Sequence, residues 1–110
     1  MKPNIIIPIM EQDWKIFLLS DAVYCKKLGN DSMGITIPEN REIYLNEDDL
    51  SLPLVIHEMG HAYLSTQFIG TARLTHSQLE EVFVEFNAHK AEELVKKSKK
   101  LYKYLRGTQE

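Results

Sequence analysis

The 110 residues hold a single cysteine, Cys25, so no disulfide can close within the chain and nothing points to an oxidising compartment. No stretch approaches the ~20 apolar residues needed to cross a bilayer. The PNIIIPIM run behind one N-terminal Lys is too short for a signal h-region with a cleavage site. Internal repeats and low-complexity segments are also missing. These absences lead us to expect a cytoplasmic chain with no membrane span. What is present is a core-forming composition, with 44% hydrophobic residues, which suffices for a packed interior without staples. The length fits one domain over residues 1–110 and leaves no room for two.

The net charge of −3 conceals an asymmetry. Residues 1–89 carry 6 basic against 13 acidic side chains, a balance of −7, whereas residues 90–110 carry 7 against 3, a balance of +4. A basic tail can meet nucleic acid, anionic lipid or the acidic body of its own chain. The commoner reason is that Lys and Arg favour the C-terminal end of a helix, where the macrodipole is negative. Nucleic acid is therefore not the partner we expect.

Pro3 and Pro8 make residues 3–9 a short extended piece. Trp14, Phe17, Leu18, Cys25 and Leu28 recur at helical spacing, which predicts a helix over 11–28, stopped by Gly29-Asn30. Ile35 and Ile37 alternate with polar neighbours, Pro38–Arg41 turns, and Ile43 and Leu45 alternate again, as in a β-hairpin. Asn46–Ser51 is acidic and turn-like. Pro53 suits a first helical turn, where its missing N–H costs nothing, so a helix should run from about Leu52 to Phe68 and stop near Gly70. A loop over Thr71–Thr75 leads to a last helix from about Ser77 to Leu105. The fold class expected is α+β: an N-terminal helix, a small sheet or hairpin, a middle helix and a long C-terminal helix rich in glutamate.

The middle helix contains Val55-Ile56-His57-Glu58-Met59-Gly60-His61, an H-E-x-x-H pattern. Residues four apart stack on one helix face, so His57 and His61 can both reach one metal ion. Glu58 points roughly 100° away around the helix. Its carboxylate then lies beside the ion, where it can take a proton from an activated water. Leu54, Val55, Ile56, Met59, Ala62, Tyr63, Leu64 and Phe68 make this helix apolar nearly all round, so it should be buried. A buried glutamate between two histidines needs a partner, and zinc supplies one.

A working zinc site also needs a third protein ligand and an open position. His76, Glu80, Glu81, Glu85, His89, Glu92 and Glu93 lie downstream. Ser77-Gln78-Leu79-Glu80 fits a capping box, which gives Glu80 a structural task, and Thr75-His76-Ser77-Gln78 fits the same template. On the last helix, Leu79, Phe83, Phe86 and Lys90 share one side while Val84, Ala88, Ala91 and Val95 share another, so its first half should be buried. Glu81 and Glu85 stand one turn apart beside Ala88. Two stacked carboxylates in a buried stretch need a compensating charge, and zinc again meets the need: one ligates while the other orients a ligating histidine.

H-E-x-x-H followed some twenty residues later by a helical Glu resembles the gluzincin metallopeptidases. Glu80-Glu81-Val82-Phe83-Val84-Glu85-Phe86 is similar to the N-E-x-x-x-E-Y/F signature of gluzincin aminopeptidases, with Glu80 in place of Asn. The resemblance covers residues 34–95 and, at this size, is closest to the single-domain minigluzincins. It implies Zn2+ held by His57, His61 and Glu81, with Glu85 behind a ligand and Glu58 as general base in a metalloendopeptidase. It implies that Glu42–Asn46 acts as an edge strand on which an extended substrate lies by β-augmentation. Minigluzincins are described as latent, with a chain segment in the cleft. PNIIIPIM and the basic tail are the segments here that could serve as such a self-inhibitory element.

Two rivals stand beside this reading. Antirepressor-cleaving and stress-response peptidases of the ImmA/IrrE type carry a later E-x-N/D, which Glu85-Phe86-Asn87 fits, making Glu85 the third ligand. A non-catalytic zinc-stabilised binding module would use the same histidines without hydrolysis. Among the remaining residues, His76 and Tyr44 are candidates for substrate or oxyanion contact, with Tyr63 a weaker one. Cys25 as a thiolate on zinc, His89 as a ligand, and docking through Leu101, Tyr102 and Leu105 are set against plain packing roles.

Overall fold

The computed structural model describes residues 1–67 and 76–109. Within them run strands β1 (Ile5–Ile9) and β2 (Gln12–Leu19), helix α1 (Asp21–Leu28), strands β3 (Gly34–Ile37) and β4 (Glu42–Asn46), a 3-10 turn over Glu47–Asp49, and helices α2 (Leu52–Gln67), α3 (His76–His89) and α4 (Ala91–Gln109). The class is α+β, with a four-stranded sheet in the order β1-β2-β4-β3. β1 pairs antiparallel with β2, β2 parallel with β4, and β3 antiparallel with β4. The expected stop near Gly70 and the Thr71–Thr75 loop lie outside the described residues. Among the described residues no helix is long and apolar enough to cross a membrane.

The expected helix over 11–28 is wrong in its first half, which is strand β2. Trp14 and Ile16 alternate inward and Phe17 and Leu19 outward, so the spacing of Trp14, Phe17 and Leu18 mimics a helix while obeying the two-residue period of a strand. The hairpin joining β1 to β2 gives no sequence signal. Ile9 pairs with Gln12 across two residues, Met10 and Glu11, both at positive φ (50° and 69°). Turns of this kind favour Asn-Gly or Asp-Gly, and here tertiary packing holds two unfavoured residues in the conformation. The helical half survives as α1, whose N-cap Ser20 accepts a hydrogen bond from the Val23 N–H.

The sheet separates two apolar layers. Ile9, Trp14, Ile16, Ile43 and Leu45 face α2 and α4, meeting Val55, Met59, Ala62, Tyr63, Leu94, Leu101 and Leu105. Phe17, Leu19 and Tyr44 face the other way and cover Tyr24 of α1. On α4 the buried Leu94, Ser98, Leu101 and Leu105 recur at helical spacing and lie along α2, so the Leu101 and Leu105 stripe is internal packing. The basic tail is this helix. Lys96, Lys99, Lys100, Lys103 and Arg106 occupy its exposed side.

Two corrections concern the edges and the last helix. β4 is interior, flanked by β2 and β3, so Glu42–Asn46 is not an edge strand. The edges are β1 and β3. The β1 edge is blunted from α4: Lys97 Nζ donates to the Pro8 carbonyl at 2.8 Å, Tyr104 Oη donates to that of Asn4 at 3.2 Å, and Pro8 has no N–H to offer. On β3, the Asn46 N–H donates to the Met33 carbonyl, so alternation turns the backbone of Gly34 and Thr36 away from β4 and toward the open side. The last helix breaks at Lys90 into α3 and α4, although no Pro or Gly marks the place. Helical hydrogen bonds still cross the junction, from the Lys90 N–H to the Phe86 carbonyl at 2.8 Å and from the Leu94 N–H to the Lys90 carbonyl at 2.9 Å. The burial expected of Leu79 and Phe83 lies outside the described side chains of α3. Of its described side chains only Phe86 is buried, and Val84 is 65% exposed.

Between α2 and α4 the Tyr63 hydroxyl and one Glu93 carboxylate oxygen are buried without a closing hydrogen bond. Burial above all, with the Glu93 carboxylate beside it, pushes the Tyr63 phenol well above its usual range. A phenol raised in the folded state contributes stability fully below its unfolded pKa of about 10, and that contribution is lost as pH rises beyond it. Tyr63→Phe keeps the ring against Phe86, at a centroid separation of 6.5 Å, and removes the titrating group. Urea midpoints from pH 8 to 11 should therefore fall less steeply for Tyr63→Phe than for wild type, with no loss at pH 8. An equally steep fall would show that Tyr63 is not the responsible group.

Candidate metal and hydrolytic site

α2 is two-sided, against the expectation of burial all round. Leu54, Val55, Glu58, Met59, Ala62 and Tyr63 form its inner stripe, while Pro53, His57 and His61 lie exposed on the outer one. The outer stripe follows from spacing by four, and it turns both imidazoles into an open cleft of about 500 Å³. Gly34, Ile35, Thr36 and Pro38 of β3 and its turn form one wall. His57, Glu58, His61, Leu64 and Ser65 of α2 form the other.

The two Nε2 atoms are 3.3 Å apart and the rings meet edge to face at 86°. Nitrogens bound tetrahedrally to zinc at about 2.0–2.1 Å stand about 3.3–3.4 Å from each other. The separation of the imidazole pair matches that of two nitrogens on one zinc ion and is also that of a hydrogen bond between the rings. Glu58 is 5% exposed. One carboxylate oxygen, Oε2, lies 4.0 Å from His57 Nε2. The other, Oε1, accepts a hydrogen bond from Thr36 Oγ1 at 2.7 Å, and the same hydroxyl stands 3.1 Å from the Glu58 backbone carbonyl.

Room for this carboxylate comes from Gly34. A Cβ there would sit 3.1 Å from Glu58 Cγ, 3.2 Å from Leu54 Cδ1 and 3.3 Å from Glu58 Oε2. Neither Gly34 nor Thr36 was singled out by the sequence. The available signal for the first was an isolated glycine opening a strand, a mark of close approach. For Thr36 there was none, because a threonine in a strand is ordinary.

The remaining candidates disperse. Glu81 and Glu85 are exposed on α3, and Glu85 Oε1 lies 3.2 Å from His89 Nε2 in a surface pair. Among the described residues no three His, Cys, Asp or Glu side chains stand close enough together to hold a metal. His76 opens α3, and its side chain lies outside the described residues. Tyr44 is on the far face of the sheet, stacked on Phe17 at 4.6 Å with its hydroxyl donating to Glu42 at 3.1 Å, so it does not line the cleft. Tyr63 is on the buried stripe of α2. Cys25 is on α1, beyond the sheet. Partial burial first, and then its hydrogen bond to Asp21, raise its thiol above the usual range, which opposes a thiolate role. PNIIIPIM is built into β1 and the tail into α4, and neither contributes to the cleft walls.

Comparison of the chain with models of known families, with characterised proteins and with solved structures finds no match in any of the three.

Proposed function

We propose that the chain is a zinc-dependent metallopeptidase in which His57 and His61 hold the metal and Glu58 is the general base. The observation that carries this reading is the pair of imidazole nitrogens 3.3 Å apart, open to a cleft, with the Glu58 carboxylate 4.0 Å from one of them. Zinc bound there would polarise the scissile carbonyl and lower the pKa of a water toward 7. Glu58, through the oxygen facing the histidines, would accept a proton from the attacking water and return it to the leaving amine. Gly34 and Thr36, whose backbone groups turn outward along the cleft, offer the edge on which an extended peptide adds as a further strand.

The zincin-like arrangement belongs to the same proposal: α2 as active-site helix, β3 as its substrate strand, α3 as glutamate helix. Glu81 is the third ligand in this reading and Glu85 its rival. Both stand exposed on α3, so the reading asks α3 to bring one of them to the histidine pair. Zinc content of the purified variants tests the set. His57→Ala and His61→Ala should each lose bound zinc while keeping the far-UV spectrum of the fold. Glu81→Ala should weaken zinc retention more than Glu85→Ala. The reverse order would make Glu85 the ligand. Full zinc retention by His57→Ala and His61→Ala would end the proposal. Zinc bound by wild type with no cleavage of casein would favour the non-catalytic module.

A further inference from the structure

We propose that Thr36 is a positioning residue for the Glu58 base, a role that rests on the peptidase reading. Its hydroxyl has one proton and two acceptors within reach, the Glu58 carboxylate oxygen at 2.7 Å and the Glu58 carbonyl at 3.1 Å. The shorter, charge-assisted bond is the stronger one. The terminal torsion of a glutamate is broad and roughly two-fold, so the side chain alone does not decide which oxygen faces the cleft or in which plane the carboxylate lies. Thr36 decides both. It occupies Oε1 and leaves Oε2 on the side of His57 Nε2, 4.0 Å away.

The placement follows from the sheet. Alternation along β3 puts Gly34 and Thr36 on the face toward α2, where Gly34 makes room for the carboxylate and Thr36 holds it. The same two residues turn their backbone groups to the open edge. One strand therefore orients the base with its side chain and presents its backbone where substrate would add.

Thr36→Val is nearly isosteric and suits a strand, so it removes the hydroxyl without emptying the site. In the full-length, zinc-loaded chain, kcat should fall about 10- to 100-fold, the scale on which small misplacements of a reacting group act. KM and zinc content should stay at the wild-type level, and Thr36→Ser should restore kcat to within about threefold. Added to Glu58→Gln, Thr36→Val should cost little more, because the two act as a unit. A readout independent of activity is the urea midpoint of the zinc-free chain: Thr36→Val and Glu58→Ala, each of which removes the bond between the two side chains, should be non-additive there. A kcat within threefold of wild type for Thr36→Val, an equal fall for Thr36→Ser, or additive midpoints would overturn the role of Thr36. Hydrolysis that is insensitive to Glu58→Gln would instead overturn the peptidase reading on which it rests.

Discussion

Glu58→Gln should reduce peptide hydrolysis by about 10²- to 10⁴-fold, the usual contribution of a positioned proton acceptor, while leaving bound zinc and fold intact. The amide matches the carboxylate in shape. Its oxygen can still accept from Thr36 Oγ1, at the position where Glu58 Oε1 accepts at 2.7 Å. What changes is the atom facing the histidines, which becomes an amide nitrogen unable to take a proton at neutral pH. Because Glu58 is 5% exposed, replacing its charge by a neutral group should leave the melting temperature equal or raise it. The informative measurement is the pair: turnover of an unfolded substrate such as casein, and zinc stoichiometry on the same sample. Undiminished turnover would remove Glu58 from the chemistry. Lost zinc would assign it to the ligand set.

The largest stability effect is expected at Trp14. Trp14→Ala empties a site that is 1% exposed, near the start of β2 and packed within the cluster that joins the sheet to α2 and α4. Phe or Trp to Ala in a core costs about 3–5 kcal/mol, a large share of the ~5–15 kcal/mol that holds such a domain together. The indole N–H is buried without an acceptor, so the loss is packing and dispersion rather than a broken hydrogen bond. For a chain of this length the melting temperature should drop by about 15–30 °C. Thermal unfolding followed by circular dichroism measures it. A shift under about 5 °C would mean that β2 is not where the core is organised.

These two residues mark how differently site and fold could be read. The His57–Glu58–His61 constellation was legible because its geometry is local. One α-helix fixes the four-residue spacing of the imidazoles and the rotation of the glutamate, and Pro53 with the apolar run behind it marked the helix. The β3–β4 hairpin was legible for the same reason, since Pro38–Arg41 carries its own turn chemistry between two alternating runs. β2 was not legible. Its partners are β1 through an unfavoured Met10-Glu11 turn and β4 in a parallel pairing that comes from more than twenty residues later. Nothing within residues 12–19 states either partner, so helical spacing prevailed by default.

The sequence by itself determined the α+β class and the sharing of one face of α2 by His57 and His61. Only the tertiary structure decided what surrounds that motif. It made β3 rather than β4 the open strand, because β2 pairs on the other side of β4. It put Thr36 on the Glu58 carboxylate and a glycine opposite it, contacts between residues more than twenty apart in the chain. It sent Tyr44 and Cys25 to the far side of the sheet and left Glu81 and Glu85 exposed on a helix of whose described side chains only Phe86 is buried. The physical reason is common to all of them. Helical periodicity fixes neighbours three and four residues away, whereas strand order, sheet face and the meeting of distant segments are set by which apolar surfaces bury one another.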